Sequence, residues 1–132
     1  MKSKTMNWTL ILLLSSFGMV MGILSVNGYT QKLEPFLWLL FGIITSLLLA
    51  KNVEYKTFLH ALIIGLSWGV FNGLLQSIFF DKYLANNPSV QDSFKKVAFM
   101  QPRYFVIITA TVIGLITGAV LGGLALLFKR IF

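Results

Sequence analysis

Residues 58–80 read FLHALIIGLSWGVFNGLLQSIFF, and this stretch decides the fold. Gly65, Gly69 and Gly73 recur at every fourth place, with Asn72 and Gln76 also four apart beside them. At about 100° per residue, Ala61, Gly65, Trp68, Gly69, Asn72 and Gln76 share one side of a helix, while Leu66, Val70, Leu74 and Ile78 take the other. One face is small and polar, the other bulky and apolar. That pattern suits a helix whose small face meets other helices and whose apolar face meets lipid.

The rest of the chain agrees. Of its 132 residues 57% are hydrophobic and only 11% charged, against about 25% charged in a typical soluble domain. The mean hydropathy is +0.82. Three further apolar runs accompany the first, giving a single membrane domain over 1–132 with spans at 8–26, 35–50, 58–80 and 103–128. A helix needs about 20 residues to cross a hydrocarbon layer of about 30 Å. The run at 8–26 follows Lys2 and Lys4 like a secretory signal, but a signal's apolar region is about 7–15 residues with an A-x-A site after it. The longer run here is expected to remain as a mature span. Residues 35–50 form the shortest, at about 24 Å, so this helix must stand upright or extend by a turn.

Each span carries small residues along one side: Ser15, Gly18, Gly22 and Ser25 in the first, Gly42, Ser46 and Ala50 in the second, and Gly114, Gly118 and Gly122 in the fourth. Glycine costs about 1 kcal/mol against alanine as a helix former in water. Close backbone approach explains its use here, because helices in lipid associate through van der Waals packing and interhelical hydrogen bonds. The expected fold is an all-α four-helix bundle with Gly18, Gly22, Gly42, Gly65, Gly69, Gly73, Gly114, Gly118 and Gly122 at its interfaces.

Connection 81–102 holds the turn Asn86-Asn87-Pro88. Beyond it Val90, Phe94, Val97 and Ala98 align on one side and Gln91, Asp92, Lys95 and Lys96 on the other. This reads either as a short amphipathic helix on the membrane surface or as a solvated linker. Lys95, Lys96, Lys129 and Arg130 are expected at lipid headgroups. Trp8, Trp38, Tyr55, Tyr83 and Tyr104 fit aromatic belts, and His60 an interfacial position.

Little reactive chemistry is visible. With no cysteine, thiolate chemistry and thiolate metal sites are excluded. Glu34, Glu54, Asp81 and Asp92 all fall in connections, whereas proton-coupled transporters place an acid inside the bundle. Small multidrug exporters share this length and span number but need an acid in the first helix, and positions 8–26 contain none. No nucleophile–base pair, phosphate loop or metal-ligand cluster is present, so no catalytic, cofactor or metal site is expected. The net charge of +7 flanks apolar runs, which fits lipid headgroups and not nucleic acid. Asn72 and Gln76 remain. Buried amides tie membrane helices together at about 0.6–2 kcal/mol each, or they line a polar path. The first role makes the protein a structural or interaction subunit, homo-oligomeric or joined to other membrane proteins. The second makes it a small channel or carrier.

FLHALIIGLSWGVFNGLLQSIFFDKYLANNPSVQ (58–91) and RYFVIITATVIGLITGAVLGGLALLFKRIF (103–132) together resemble a bacterial family of small four-span membrane proteins of unknown function, widespread in Bacteroidota. The shared features are a third helix entered from a charged turn, an Asn-Pro after it, and a glycine-spaced last helix ending in basic residues. The connection here is shorter and less acidic than in that family. The resemblance implies a four-span fold in a bacterial inner membrane and brings no activity or site residues.

Four spans place both termini on one side, with six basic residues there (Lys2, Lys4, Lys51, Lys56, Lys129, Arg130) and five opposite (Lys32, Lys82, Lys95, Lys96, Arg103). The positive-inside rule thus puts the termini in the cytoplasm by a margin of one. In intact cells an impermeant maleimide should label a Ser93→Cys variant and spare Ser3→Cys. Labelling of both in one population would show insertion in two orientations.

Overall fold

The computed structural model describes residues 5–95 and 100–132. Six helices follow in order: α1 (Trp8–Val26), α2 (Glu34–Asn52), α3 (Thr57–Ile78), α4 (Phe80–Asn86), α5 (Pro88–Lys95) and α6 (Pro102–Ile131), with one 3-10 turn at Gln31–Leu33 ahead of α2. Four of them, α1, α2, α3 and α6, are long and apolar enough to cross a membrane, the architecture of an integral membrane protein. At 30 residues α6 is about 45 Å long and outruns a 30 Å hydrocarbon layer. α2 gains a turn over its expected length, as the short span required.

The seam of the bundle is α3 against α6. An alanine Cβ placed at Gly65 would overlap Gly118 backbone atoms, and one at Gly69 would overlap the Ala110 carbonyl. At Gly114 it would lie 2.6 Å from the Gly65 carbonyl oxygen and 2.8 Å from Gly69 Cα, and at Gly118 2.8 Å from Leu62 Cα. Gly65, Gly69, Gly114 and Gly118 therefore mesh backbone to backbone within one chain. α1 uses the same device on the other side of α3, with Gly18 over the Trp68 backbone and Gly22 over Leu75 and Asn72. Gly73 meets Ala110, Gly122 meets the Phe58 ring, and Gly42 meets Leu121. Gly123 faces open space.

Polarity is turned inside out as expected. Ala61, Gly65, Trp68, Gly69 and Gln76 are buried, while Leu74 and Ile78 on the opposite side of α3 are exposed. Leu12 and Ile116, mid-span leucine and isoleucine, are 69% and 59% exposed, which is stable only against lipid.

The ends of the helices carry the polar contacts. Asn7 caps α1, its Oδ1 accepting from the Leu10 N–H at 3.1 Å. The Asn7 N–H donates to His60 Nε2 at 2.9 Å, and His60 Nδ1 lies 2.9 Å from the Lys56 carbonyl. Those two contacts require a neutral ring with its proton on Nδ1. His60 is thus fully buried in the first turn of α3, with Asn7 lying against it. At the other end of α1, Asn86 Nδ2 donates to the Val26 carbonyl at 3.1 Å, and Asn87 Nδ2 donates to the Ser25 and Tyr83 carbonyls, both at 2.8 Å. The asparagine pair after α3 therefore satisfies carbonyls that the last turn of α1 leaves without intrahelical partners.

The connection between α3 and α6 contains two helices. α5 realises the amphipathic segment over residues 88–95, but its apolar side meets protein. The Phe94 ring stands edge-on to Phe80, Tyr83 and Phe105, at centroid distances of 5.4, 6.4 and 6.5 Å. The neighbouring rings offer Phe94 a partner nearer than lipid. Val97, Ala98 and Lys96 lie outside the described residues.

Substituting a seam glycine should be costly and substituting Gly123 should not. Gly65→Ala should destabilise the fold by roughly 1–3 kcal/mol through overpacking, and Gly123→Ala should leave it within about 0.5 kcal/mol. Unfolding by sodium dodecyl sulfate titration measures both.

Candidate functional site

α2 is the odd helix of the bundle. Toward the terminal side it seals against α6, where Gly42 admits Leu121 and the Ser46 hydroxyl donates to the Leu121 carbonyl at 3.1 Å. Toward the other side it is held away from α3 by aromatic bulk. Trp38 and Trp68 face each other at 5.5 Å, and Phe17 wedges against both at 5.1 and 5.2 Å while stacking on Phe41 at 4.1 Å. The Trp68 indole is fixed by donating to the Leu14 carbonyl at 2.7 Å. Spacer rings above and a glycine contact below leave α2, α3 and α6 splayed, and a cavity of about 610 Å³ fills the gap.

This cavity is a partly open vestibule between α2, α3 and α6. It starts beside Glu34, Tyr83 and Phe94 at the end of the bundle opposite the termini and descends along α6 from Phe105 to Thr117, a run of about 18 Å and so a little more than half the hydrocarbon thickness. The Gly42–Leu121 and Ser46–Leu121 contacts close α2 onto α6 beyond it. Its walls are chiefly apolar, and its volume lies within the about 300–1,000 Å³ of small-molecule sites.

Its carboxylate and amides lie toward the upper end, and Thr109 and Thr117 line it further down α6. Glu34 opens α2, where an acid favours the positive end of the helix dipole, and Pro35 fixes the start of the helix. Its Oε2 accepts from Ser25 at 3.2 Å and from Thr30 at 3.1 Å, and its Oε1 accepts a longer bond from the Trp38 indole at 3.4 Å. Gln76 donates to the same Ser25 hydroxyl at 3.1 Å, so the amide of α3 reaches the carboxylate of α2 through one side chain of α1. Asn72, one turn deeper, lines the cavity with a buried Oδ1 that has no hydrogen-bond partner among the described residues. Such an atom costs about 1–3 kcal/mol, which a bound donor would offset.

Both amides singled out in the sequence therefore line one cavity, in two different states: Gln76 is satisfied and Asn72 is not. Three residues join them against expectation. Glu34 belongs to a helix and not a connection, because the seven-residue link from α1 ends in the 3-10 turn and brings the start of α2 beside Ser25. Trp38 and Tyr83, expected in aromatic belts, also form part of the cavity wall. Tyr83 is 8% exposed because α4 lies across the bundle end, and burial, aided by the Glu34 charge, pushes its phenol up to about 12. The motif Glu34-Pro35 with Trp38 one turn on was the available signal: an acid at a span's first residue with an indole to meet it.

The basic residues sit apart from the cavity. Lys95 is exposed and lies 3.7 Å from Asp92, Lys129 donates to the Thr57 hydroxyl, and Arg130 is exposed at the end of α6. Among the described residues no three of His, Cys, Asp and Glu converge as a metal site would need. No protein-family model, curated protein or solved structure matches the chain.

A raised phenol pKa means the folded state prefers neutral Tyr83, so the stability it supports is intact below pH 10 and is lost as the pH rises through 12. Relative to Tyr83→Phe, the wild type should lose up to roughly 2–3 kcal/mol across that window. Parallel unfolding titrations of the two proteins at each pH read the difference.

Proposed function

We propose that this chain is an integral protein of a bacterial inner membrane, both termini cytoplasmic, that takes an amphipathic small molecule into the α2–α3–α6 vestibule, with Asn72 and Gln76 as its polar lining. The observation that carries the reading is the vestibule itself: about 610 Å³ of chiefly apolar space lined by one carboxylate and two amides. A cavity that runs along about 18 Å of the roughly 45 Å α6 suits a binding protein or one state of a carrier better than an open channel.

The competing role, a self-associating or structural subunit, rests on glycine-faced helices without embedded charge, with Asn72 and Gln76 tying helices together. Those faces are engaged inside one chain, at α3–α6 and at α1–α3, and Gly123 alone among the glycines faces open space. Close contacts with lipid are expected over the apolar exterior. The same vestibule bears on the resemblance to four-span bacterial proteins, where an acid opening the second span would be the feature to seek.

Native mass spectrometry of the chain released gently from its own membranes tests the proposal. The wild type should carry a small-molecule adduct, and Asn72→Leu/Gln76→Leu should lose it while keeping its helix content. An adduct equally retained by the double variant, or none on the wild type, would contradict it.

A further inference from the structure

Resting on the vestibule as a binding site, we infer that its ligand class is a primary ammonium on an apolar body. Two acceptors of the cavity lining, on Glu34 and Asn72, have capacity for further hydrogen bonds. An ionised carboxylate offers about four lone-pair positions. Ser25 and Thr30 occupy Oε2 of Glu34, and among the described residues Oε1 receives only the long Trp38 bond, so Oε1 can take another donor. Asn72 Oδ1, buried in the same cavity, takes none. Two acceptors, one of them charged, call for a ligand head that is cationic and bears several N–H groups. A quaternary ammonium supplies the charge without the donors, and an alcohol a donor without the charge.

The Glu34 carboxylate is open to such a head. The described salt bridges of this end of the molecule, Arg103 with Asp81 and Lys95 with Asp92, leave Glu34 out. Its three partners are neutral donors, which orient the carboxylate without cancelling its charge. Below it the wall is formed by Trp38, Trp68, Ile113 and the glycine-lined faces of α3 and α6, with Thr109 and Thr117 among them, a chiefly apolar surface that suits an alkyl or aryl body better than a hydrated ion. The indole faces further favour a cation passing beside them. A free lipophilic amine and the headgroup of phosphatidylethanolamine with one acyl chain lowered into the cavity share this chemistry.

The Trp38 indole reports occupancy, because its N–H is bound to the carboxylate oxygen that the ammonium would share. Exposed Trp8 lies outside the vestibule and reports nonspecific partitioning into the bilayer. In phosphatidylcholine nanodiscs, octylammonium should shift the Trp38 indole signal at a concentration at least tenfold below that needed by octanol or octyltrimethylammonium, with Trp8 moving alike for all three. Glu34→Gln should erase the preference while leaving the octanol response. Replacing part of the phosphatidylcholine by phosphatidylethanolamine should shift the same signal and weaken the octylammonium response if the lipid is the source, and leave both unchanged if a free amine is. Equal responses of Trp38 to octylammonium and octanol in the wild type would overturn the ammonium assignment and leave the vestibule as a binding site. No probe moving Trp38 more than Trp8 would overturn both. The wild-type comparison decides even where Glu34→Gln fails to fold.

Discussion

Everything in this molecule depends on how closely the backbones of α3 and α6 approach. At Gly65, Gly69, Gly114 and Gly118 the two helices touch main chain to main chain, at distances that leave no room for a single methyl group. In lipid that closeness is the source of cohesion, since burying leucine against leucine gains little over leaving it among acyl chains. A larger residue at the seam would separate the helices along their length and forfeit many weak contacts at once. α1 joins the seam by the same means through Gly18 and Gly22. These three helices form the rigid part of the bundle.

α2 is attached differently, and the difference makes the cavity. It has glycine contact with α6 at Gly42 and aromatic contact with α1 and α3 at Trp38 and Phe41, so one half closes and the other stands off. A bundle of four glycine-faced helices meshed along their full lengths would be solid. Three meshed helices and one propped on indole rings enclose a vestibule, and the short link from α1 places Glu34 at its mouth. The network from Gln76 through Ser25 to Glu34 ties the three elements around that mouth, and Asn87 ties α4 to the same turn of α1.

Much of the fold was legible in the sequence because small-residue spacing and apolar run length are local properties. The triplets in α3 and α6, the turn at Asn86-Asn87-Pro88 and the extra turn on α2 can be read a few residues at a time. The site was legible only in part. Asn72 and Gln76 stand out as amides within an apolar run. Glu34 does not, since by sequence it borders a polar turn, and its place against Ser25, Thr30 and Trp38 is set by how that turn folds. The burial of Tyr83 and His60 was not legible for a related reason: one sits on α4 and the other is met by the stretch before α1, segments whose path hydropathy does not specify. Sequence periodicity likewise showed α5 to be amphipathic without showing that Phe80, Tyr83 and Phe105 would receive Phe94.

Whether the glycine seam lies within one chain or between two is the point on which the vestibule and its ligand rest. Solid-state NMR of glycine-labelled protein in lipid, diluted with an excess of unlabelled protein, measures it directly. Cross-peaks between Gly65 and Gly118, and between Gly69 and Gly114, should keep their intensity per labelled molecule on dilution. Intensity that falls in proportion to the labelled fraction would place the seam between copies and contradict the bundle described here.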